Sequence, residues 1–118
     1  MRHSLEQFHA GLRSALLTRD DLLIAWAHLR VFRHRIDTEP STVVMVMLPD
    51  VRRATIRAGD QHATAFLHQC VTILEGQVGR FDEARRHCDI VDSLLLRAPN
   101  AWLRAGNLMN RACLALLT

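Results

Sequence analysis

The chain has 118 residues, of which 49% are hydrophobic and 23% charged, and its formal net charge is +3. This length and apolar fraction suit one globular domain, and the low content of Gly (five) and Pro (three) disfavours a loop-rich or β-rich fold. All fifteen basic residues are Arg, and so small a net charge without interleaved aromatic residues disfavours nucleic acid as a partner.

Six segments carry apolar residues at spacings of three and four, which is the period of an amphipathic helix. The first segment follows Ser4. The second starts with Asp20 and Asp21, whose carboxylates favour the positive end of a helix dipole. The apolar positions of these two segments are Leu5, Phe8, Leu12 and Leu16, and then Leu22, Trp26, Leu29, Phe32 and Ile36.

The third segment leaves two structures open. Its helical spacing is carried by Val44, Met47, Val51, Ala54 and Ala58. Residues 42–46 are nevertheless rich in β-branched side chains, and Pro49 removes a backbone donor, so a strand over 42–48 is the alternative. We expect a helix, kinked or restarted at Pro49, because a single strand would have nothing to pair with.

The last three segments follow capping or turn residues, namely Asp60, Gly79-Arg80 and Asn100. Their connections are so short that neighbouring helices are predicted to pack antiparallel. Their apolar positions are Ala63, Leu67, Cys70, Leu74 and Val78, then Phe81, Ala84, Cys88, Val91 and Leu95, and finally Trp102, Ala105, Met109, Ala112 and Leu116.

An internal repeat relates the second, fourth and sixth segments. The stretches 25–29, 63–67 and 101–105 are similar in sequence and equally spaced, 38 residues apart. These three helices are therefore predicted to be equivalent first helices of successive helical hairpins.

The stretch Gly79-Arg80-Phe81-Asp82-Glu83-Ala84 closely resembles the inter-helix turn of tetratricopeptide repeats, and Trp102 with Gly106 resembles the start of the next repeat. The resemblance is best over residues 63–116, and residues 1–59 are expected to be a degenerate or capping part of the same single domain, 1–118. It implies an all-α fold of about six helices, in which antiparallel helical hairpins stack as a short right-handed superhelix. It also implies an inner groove, lined by the first helices, that binds a peptide or a helix, and it implies no catalysis.

Two sets of residues are candidates for binding. Polar side chains off the apolar stripe of the fourth and sixth helices are predicted to face the groove, and these are Gln61, His68, Gln69, Arg104, Asn107 and Arg111. Leu108, Leu114 and Leu117 lie on a last helix with no second helix after it, so they are predicted to lack cover within the chain and to pack on a second copy or an obligate partner. A fragment of a longer repeat array would show the same pattern.

Catalytic, metal and cofactor motifs are missing from the sequence. The seven His residues include no i, i+4 pair, there is no Cys-x-x-Cys, and no Gly-rich phosphate loop or nucleophile elbow occurs. We therefore expect no enzyme activity, no bound metal and no cofactor.

The remaining features favour a cytoplasmic protein outside the membrane. Cys70, Cys88 and Cys113 are odd in number and widely spaced, so we expect three reduced core thiols and no disulfide framework. No signal peptide is visible at the N-terminus, and the longest apolar run, 43–48, is too short to span a bilayer.

These features together predict a bacterial, cytoplasmic adaptor or chaperone that holds a helical or extended segment of another protein. Because Arg pairs well with carboxylates, an acidic segment is favoured, and a homodimer or an obligate hetero-complex is expected. Size and fold analogy extend this prediction to chaperones of secretion-system components. The alternative is a self-associating regulatory domain of a transcriptional regulator or signalling protein.

Overall fold

The structure of the protein is a computed structural model that describes residues 6, 7, 9–11, 13, 14 and 19–117. The described residues between 6 and 14 are helical. The apolar positions of the first predicted helix, Leu5, Phe8, Leu12 and Leu16, lie outside the described residues.

Six α-helices follow, and the described part of the chain contains no strand. They are α1 (Asp21–Thr38), α2 (Ser41–Val44), α3 (Leu48–Ala58), α4 (Gln61–Gln77), α5 (Phe81–Arg97) and α6 (Ala101–Leu117). The all-α prediction is therefore confirmed.

The third predicted segment is helical but interrupted. A short 3₁₀-helix, Met45–Met47, joins α2 to α3, and Pro49 lies in the first turn of α3. A proline is tolerated there because the first N–H groups of a helix have no intrahelical acceptor. The predicted restart at Pro49 is confirmed, and the alternative of a strand over 42–48 is wrong.

Helix starts recur every 20 residues. The residues before the helical segments are Asp20, Pro40, Asp60, Arg80 and Asn100, and the segment from 41 to 58 counts as one interrupted helix. The structural step from one hairpin to the next is thus 40 residues, two more than the spacing of the similar sequence stretches.

Three of these five starts are capped by a side chain, and each of the three opens a first helix of the repeat. Asp20, Asp60 and Asn100 accept hydrogen bonds from the backbone N–H three residues later, at 3.0, 2.8 and 2.9 Å. Such caps satisfy backbone donors that the helix itself leaves without partners. The capping residues therefore mark α1, α4 and α6 as equivalent elements.

The helices pack in two layers. Helix α1 pairs with α3, α4 pairs with α5, and α6 packs on both α5 and α4. Contacts of α4 with α1 and with α6 join the three first helices into one layer. Helix α4 is consequently covered on several sides, which explains why ten of its seventeen residues are buried.

The turn between α4 and α5 confirms the predicted break at Gly79-Arg80. Gly79 has φ +83, a left-handed conformation that glycine adopts without strain. The Arg80 N–H donates to the Glu75 carbonyl at 2.8 Å and closes the end of α4. This tight turn lets Ala84 pack fully buried at the hairpin junction.

The main core is centred on α4, and a smaller cluster joins α5 to α6. The main core includes Leu29 and Phe32 of α1, Val51 of α3, Phe66, Cys70 and Leu74 of α4, Val91 of α5 and Leu103 of α6. The smaller cluster contains Ala84, Cys88 and Leu114, with Phe81 packed against it. These two clusters fix α6 against the hairpin before it.

Candidate functional site

A groove of about 570 Å³ runs between α4 and α6 on the layer of first helices. Phe66 and Ile73 of α4 line one side, Trp102 and Met109 of α6 line the other, and Arg33 of α1 lies at its edge. The first helices therefore form an elongated surface that is largely apolar and open to solvent.

Three aromatic rings, one from each first helix, stand in a row beside this groove. The ring centroids of Trp26 and Phe66 are 5.5 Å apart, and those of Phe66 and Trp102 are 5.4 Å apart with nearly parallel planes. The Arg30 guanidinium carbon lies 5.8 Å from the centre of the Trp102 ring, within cation–π range. The row joins three hairpins and leaves Trp102 57% exposed at its end.

Small residues bring α6 close to α4 at the bottom of the groove. A Cβ added at Gly106 would lie 3.0 Å from the Gln69 Oε1 atom, so a larger residue at this position would require the Gln69 amide to shift by a few tenths of an ångström. The Gln69 Nε2 group donates to the Leu103 carbonyl, and Asn110 Nδ2 lies 3.5 Å from the Gln69 carbonyl oxygen. Gln69 thus joins the two helices through hydrogen bonds while it lines the groove.

A polar network between α5 and α6 holds α6 from the other side. The Asn107 Nδ2 group donates to Asp92 Oδ1 at 2.7 Å and to the Cys88 carbonyl at 3.2 Å. Arg111 donates to Asp89 and Asp92 at 2.7 and 2.5 Å, and these hydrogen bonds raise the pKa of its guanidinium. The network fixes the rotation of α6 about its own axis, and this rotation decides which side chains reach the groove.

Two histidines meet between α4 and α5. The Nδ1 atoms of His68 and His87 are 2.8 Å apart, so one ring must donate a hydrogen and the other accept it. Burial lowers the pKa of both rings, that of His68 to about 4, and the neighbouring charges of Arg86 and Arg52 lower both further. Near neutral pH the pair is therefore uncharged.

Within the part of the chain that the structure describes, this histidine pair has no third ligand for a metal. Among the described residues, no three His, Cys, Asp or Glu side chains come together as a metal site would require. A shared hydrogen bond satisfies both rings, which gives the pair a structural role in joining α4 to α5.

The cysteines occupy two kinds of environment. Cys70 and Cys88 are buried free thiols, and burial raises the pKa of Cys70 to about 12, which keeps it protonated and unreactive. Cys113 is exposed and lines the groove. The expectation of three core thiols is therefore wrong for Cys113.

The six polar residues predicted for the groove lie in different places. Gln69 lines the groove, whereas His68, Asn107 and Arg111 are turned toward α5 by the contacts described above. Gln61 and Arg104 are exposed and lie outside its lining. The structure therefore brings one of the six into the groove, and a role of any of them in binding stays a prediction.

The three leucines predicted to lack cover also differ from one another. Leu114 is only 4% exposed and packs with Ala84 and Cys88, so the prediction that it lacks cover within the chain is wrong. Leu117 is exposed at the end of the groove, and Leu108, 59% exposed, lies outside the groove lining.

The main surface that sequence reasoning missed is the apolar stripe of α6. The positions 102, 105, 109, 112 and 116 carry the helical apolar spacing of this segment, but the buried residues of α6 are Leu103, Asn107 and Leu114. Trp102, Met109 and Leu116 are 57%, 67% and 89% exposed. The sequence of α6 carries apolar residues on two faces of the helix. One neighbouring hairpin can cover only one of these faces.

Comparisons with protein-family models, with curated proteins and with solved structures find no match to this chain. No helix among the described residues combines the length and the apolar character that crossing a bilayer requires.

Proposed function

We propose that this protein is a protein-binding module whose groove between α4 and α6 holds a helical segment of a partner protein. The observation that carries the proposal is the exposed apolar face of α6, led by Trp102 and Met109, which lines one open groove together with Phe66 and Ile73 of α4. Exposed apolar surface of this kind is typical of binding sites, and aromatic residues contribute strongly to binding energy there.

The walls of the groove favour a helix as the bound segment. Both walls are helices whose backbone groups are already hydrogen-bonded, so an extended peptide would find no free strand edge to pair with. An amphipathic helix instead binds through apolar side chains at three- and four-residue spacing, which an elongated apolar groove accommodates.

The charge beside the groove favours an acidic residue on the bound segment. Arg33 already pairs with Asp37 at 2.6 Å. Arg30 contacts the Trp102 ring and has no acidic partner among the described residues. A carboxylate on the bound helix would therefore form an ion pair with its guanidinium.

The resemblance of the Gly79–Ala84 turn to tetratricopeptide repeats supports the same role, since the first helices of such repeats line a binding groove. On this basis we place the protein among small cytoplasmic adaptors or chaperones of bacterial origin, with chaperones of secretion-system components as the narrower class. The two buried free thiols, Cys70 and Cys88, suit a reducing compartment.

A second candidate function is a self-associating regulatory domain. It is favoured by one specific observation, the exposed apolar stripe along α6, which offers a surface to another copy of the chain.

Photocrosslinking from the groove tests the proposal. A benzoylphenylalanine at Met109 should capture a partner protein in the native host, whereas the same group at Arg104, exposed on α6 outside the groove, should not. The captured segment is then made as a peptide and its affinity is measured by calorimetry. Trp102→Ala should weaken binding by at least about 10-fold, as for an aromatic residue at the centre of an interface.

Two results would remove the proposal. One is equal crosslinking from positions 104 and 109, and the other is a peptide affinity that Trp102→Ala leaves unchanged while circular dichroism shows a folded variant.

A further inference from the structure

Among the described residues, one polar side chain in the groove between α4 and α6 lacks a strong partner within the chain. Five side chains with amide, hydroxyl or guanidinium groups line the groove, and four of them already make a short contact inside the protein. These four are Arg33 with Asp37 at 2.6 Å, Gln69 with the Leu103 carbonyl, Thr72 with the His68 carbonyl at 2.9 Å and Gln77 with Ser41 at 2.8 Å. The fifth is Asn110.

The contact that Asn110 makes is at the limit of a hydrogen bond. Its Nδ2 group lies 3.5 Å from the Gln69 carbonyl oxygen, and within the described part of the chain its Oδ1 atom accepts no hydrogen bond. Asn110 is half-buried and lines the groove together with the apolar side chains of Ile73 and Met109. A helix that fills the groove would remove this amide from water, which is unfavourable unless the helix offers it a hydrogen bond.

Arg30 provides a second polar point, at the Trp102 end of the groove. Its guanidinium carbon lies 5.8 Å from the centre of the Trp102 ring, and it has no acidic partner among the described residues. A carboxylate is the group that pairs best with a guanidinium. Trp102 and Asn110 are eight residues apart on α6, which corresponds to about 12 Å along the helix axis.

From these two points we infer that the groove selects a helix with an acidic residue for Arg30 and, seven or eight residues away, a polar residue that hydrogen-bonds to Asn110. The inference rests on the proposed function, because it describes the helix that the groove would hold. A separation of seven or eight residues is about two turns, so both side chains lie on the face that enters the groove. Asn, Gln, Ser and Thr suit the second position, since they offer hydrogen bonds without burying an unpaired charge.

Asn110 then sets the register of the bound helix. An apolar stripe alone lets a helix shift along the groove by one turn, about 5.4 Å, at little cost. Such a shift would place Asn110 against an apolar side chain and would separate Arg30 from the carboxylate. One buried Asn fixes the register of a coiled coil for the same reason.

Selection from a peptide library by the purified protein tests this inference. The probe is a display library of helix-forming peptides, about 18 residues long, randomised on one face at three- and four-residue spacing. The wild-type protein should enrich Asp or Glu together with Asn, Gln, Ser or Thr at the stated separation. Selection by Arg30→Gln should lose only the acidic preference, and selection by Asn110→Leu should lose only the polar one.

Gln61→Leu is the matched control for Asn110→Leu. It makes the same change from an amide to leucine at an exposed position of α4 that lies outside the groove lining. Selection by this variant should keep both preferences.

The affinity of one selected peptide gives a second measurement. Replacing its polar residue by leucine should weaken binding to the wild-type protein at least about 5-fold in calorimetry, because Asn110 then loses its partner. The leucine peptide should bind Asn110→Leu protein better than the original peptide does. This reversal separates recognition from a structural role of Asn110, since a damaged fold would weaken both peptides. The wild-type measurement alone decides the question if Asn110→Leu does not fold.

Failure of this inference and failure of the proposed function give different results. Selected peptides with an apolar residue at the second position, or an affinity for the wild type that the leucine exchange leaves unchanged, would overturn the inference. If Trp102→Ala still weakens the binding of such peptides, the groove keeps its proposed function and only the register role of Asn110 is lost. Peptides that Trp102→Ala leaves equally bound, or a library from which no peptide is enriched, would contradict the proposed function and this inference together.

Discussion

Asn107 shows how a single polar side chain can set the orientation of a whole helix. It is almost completely buried, and its Nδ2 group donates both to Asp92 and to the Cys88 carbonyl of α5. A polar group in the core is unfavourable unless it is hydrogen-bonded, so the two bonds of Nδ2 restrict the rotation of α6, although the buried Oδ1 atom has no partner among the described residues. The exposure of Trp102 and Met109 follows from that rotation.

Replacing Asn107 should therefore destabilise the protein more than replacing a similar residue one turn later. We expect Asn107→Ala to lower the free energy of unfolding by about 1–3 kcal/mol, because it removes two buried hydrogen bonds and leaves the Asp92 carboxylate with one donor fewer. Asn110→Ala, which loses a contact of 3.5 Å, is the control and should cost less. Urea denaturation followed by circular dichroism measures both, and equal losses would contradict this role of Asn107.

The histidine pair predicts a specific dependence of stability on pH. Burial holds the pKa of His68 at about 4, below the ordinary value of 6.5 that applies in the unfolded chain, and it lowers the pKa of His87 as well. As the pH falls from about 6.5 to about 4, the unfolded state takes up protons that the folded state does not bind. The contribution of this pair to the free energy of unfolding is therefore fully present above about pH 6.5 and is lost as the pH falls to about 4.

Removing one ring should reduce that loss. We expect His68→Leu to show a smaller fall in the free energy of unfolding between pH 6.5 and pH 4 than the wild type, as measured by urea denaturation at a series of pH values. Parallel pH profiles of variant and wild type would contradict the assignment.

At the residue scale, the sequence predicted the buried positions of α4 and α5 better than those of α6. Periodicity identifies an apolar face but not which of two apolar faces finds a neighbour. The apolar spacing of α6 was assigned to the stripe that includes Trp102 and Met109, whereas the face of Leu103 and Leu114 is the buried one. The contact between His68 and His87 was missed because it joins two helices, whereas spacing along one helix was the signal considered.

At the scale of elements, helix starts and turns were predictable because local chemistry determines them. Asp20, Asp60 and Asn100 cap their helices through the hydrogen bonds that such residues typically make. The regular 20-residue step was less visible, since Pro40 and Arg80 begin their helices without a side-chain cap. For residues 42–46 the sequence allowed either a strand or a helix, because β-branched side chains favour strands. Whether a strand would find a partner depends on the whole fold, which local sequence does not show.

The two glycines at the end of α4 should respond oppositely to alanine. Gly79 has φ +83 with open space where a Cβ would go, so Gly79→Ala should cost about 1 kcal/mol through backbone strain alone. Gly76 is helical, and its added Cβ would make an ordinary contact of 3.5 Å with Leu114, so Gly76→Ala should gain up to about 1 kcal/mol of helix propensity. Thermal and urea denaturation of both variants test this, and changes of the same sign would contradict the turn geometry.

At the scale of the whole molecule, the hairpins share one row of aromatic contacts. Phe66 lies between Trp26 and Trp102, so each first helix touches the next through a ring. Helix α4 has neighbours on both sides, whereas within the described residues α6 has neighbours on one side only. The short turns were enough to predict the order and the antiparallel packing of the hairpins. The groove, in contrast, depends on the distance between α4 and α6. The contact between Gly106 and Gln69 sets this distance.

The groove can be followed directly through Trp102. The chain has two tryptophans, so in a Trp26→Phe variant Trp102 is the only one, and it is half-exposed beside the groove. A bound helix that covers this ring transfers it from water to an apolar environment.

The most direct test of a functional groove between α4 and α6 is therefore the emission spectrum of Trp26→Phe protein, recorded as the crosslinked partner segment, or more of the chain itself, is added. We predict that emission moves to shorter wavelength and that quenching by acrylamide decreases in parallel with complex formation measured by sedimentation. An unchanged spectrum at a concentration where the complex is saturated would show that the occupant binds elsewhere, and would contradict the proposed role of this groove.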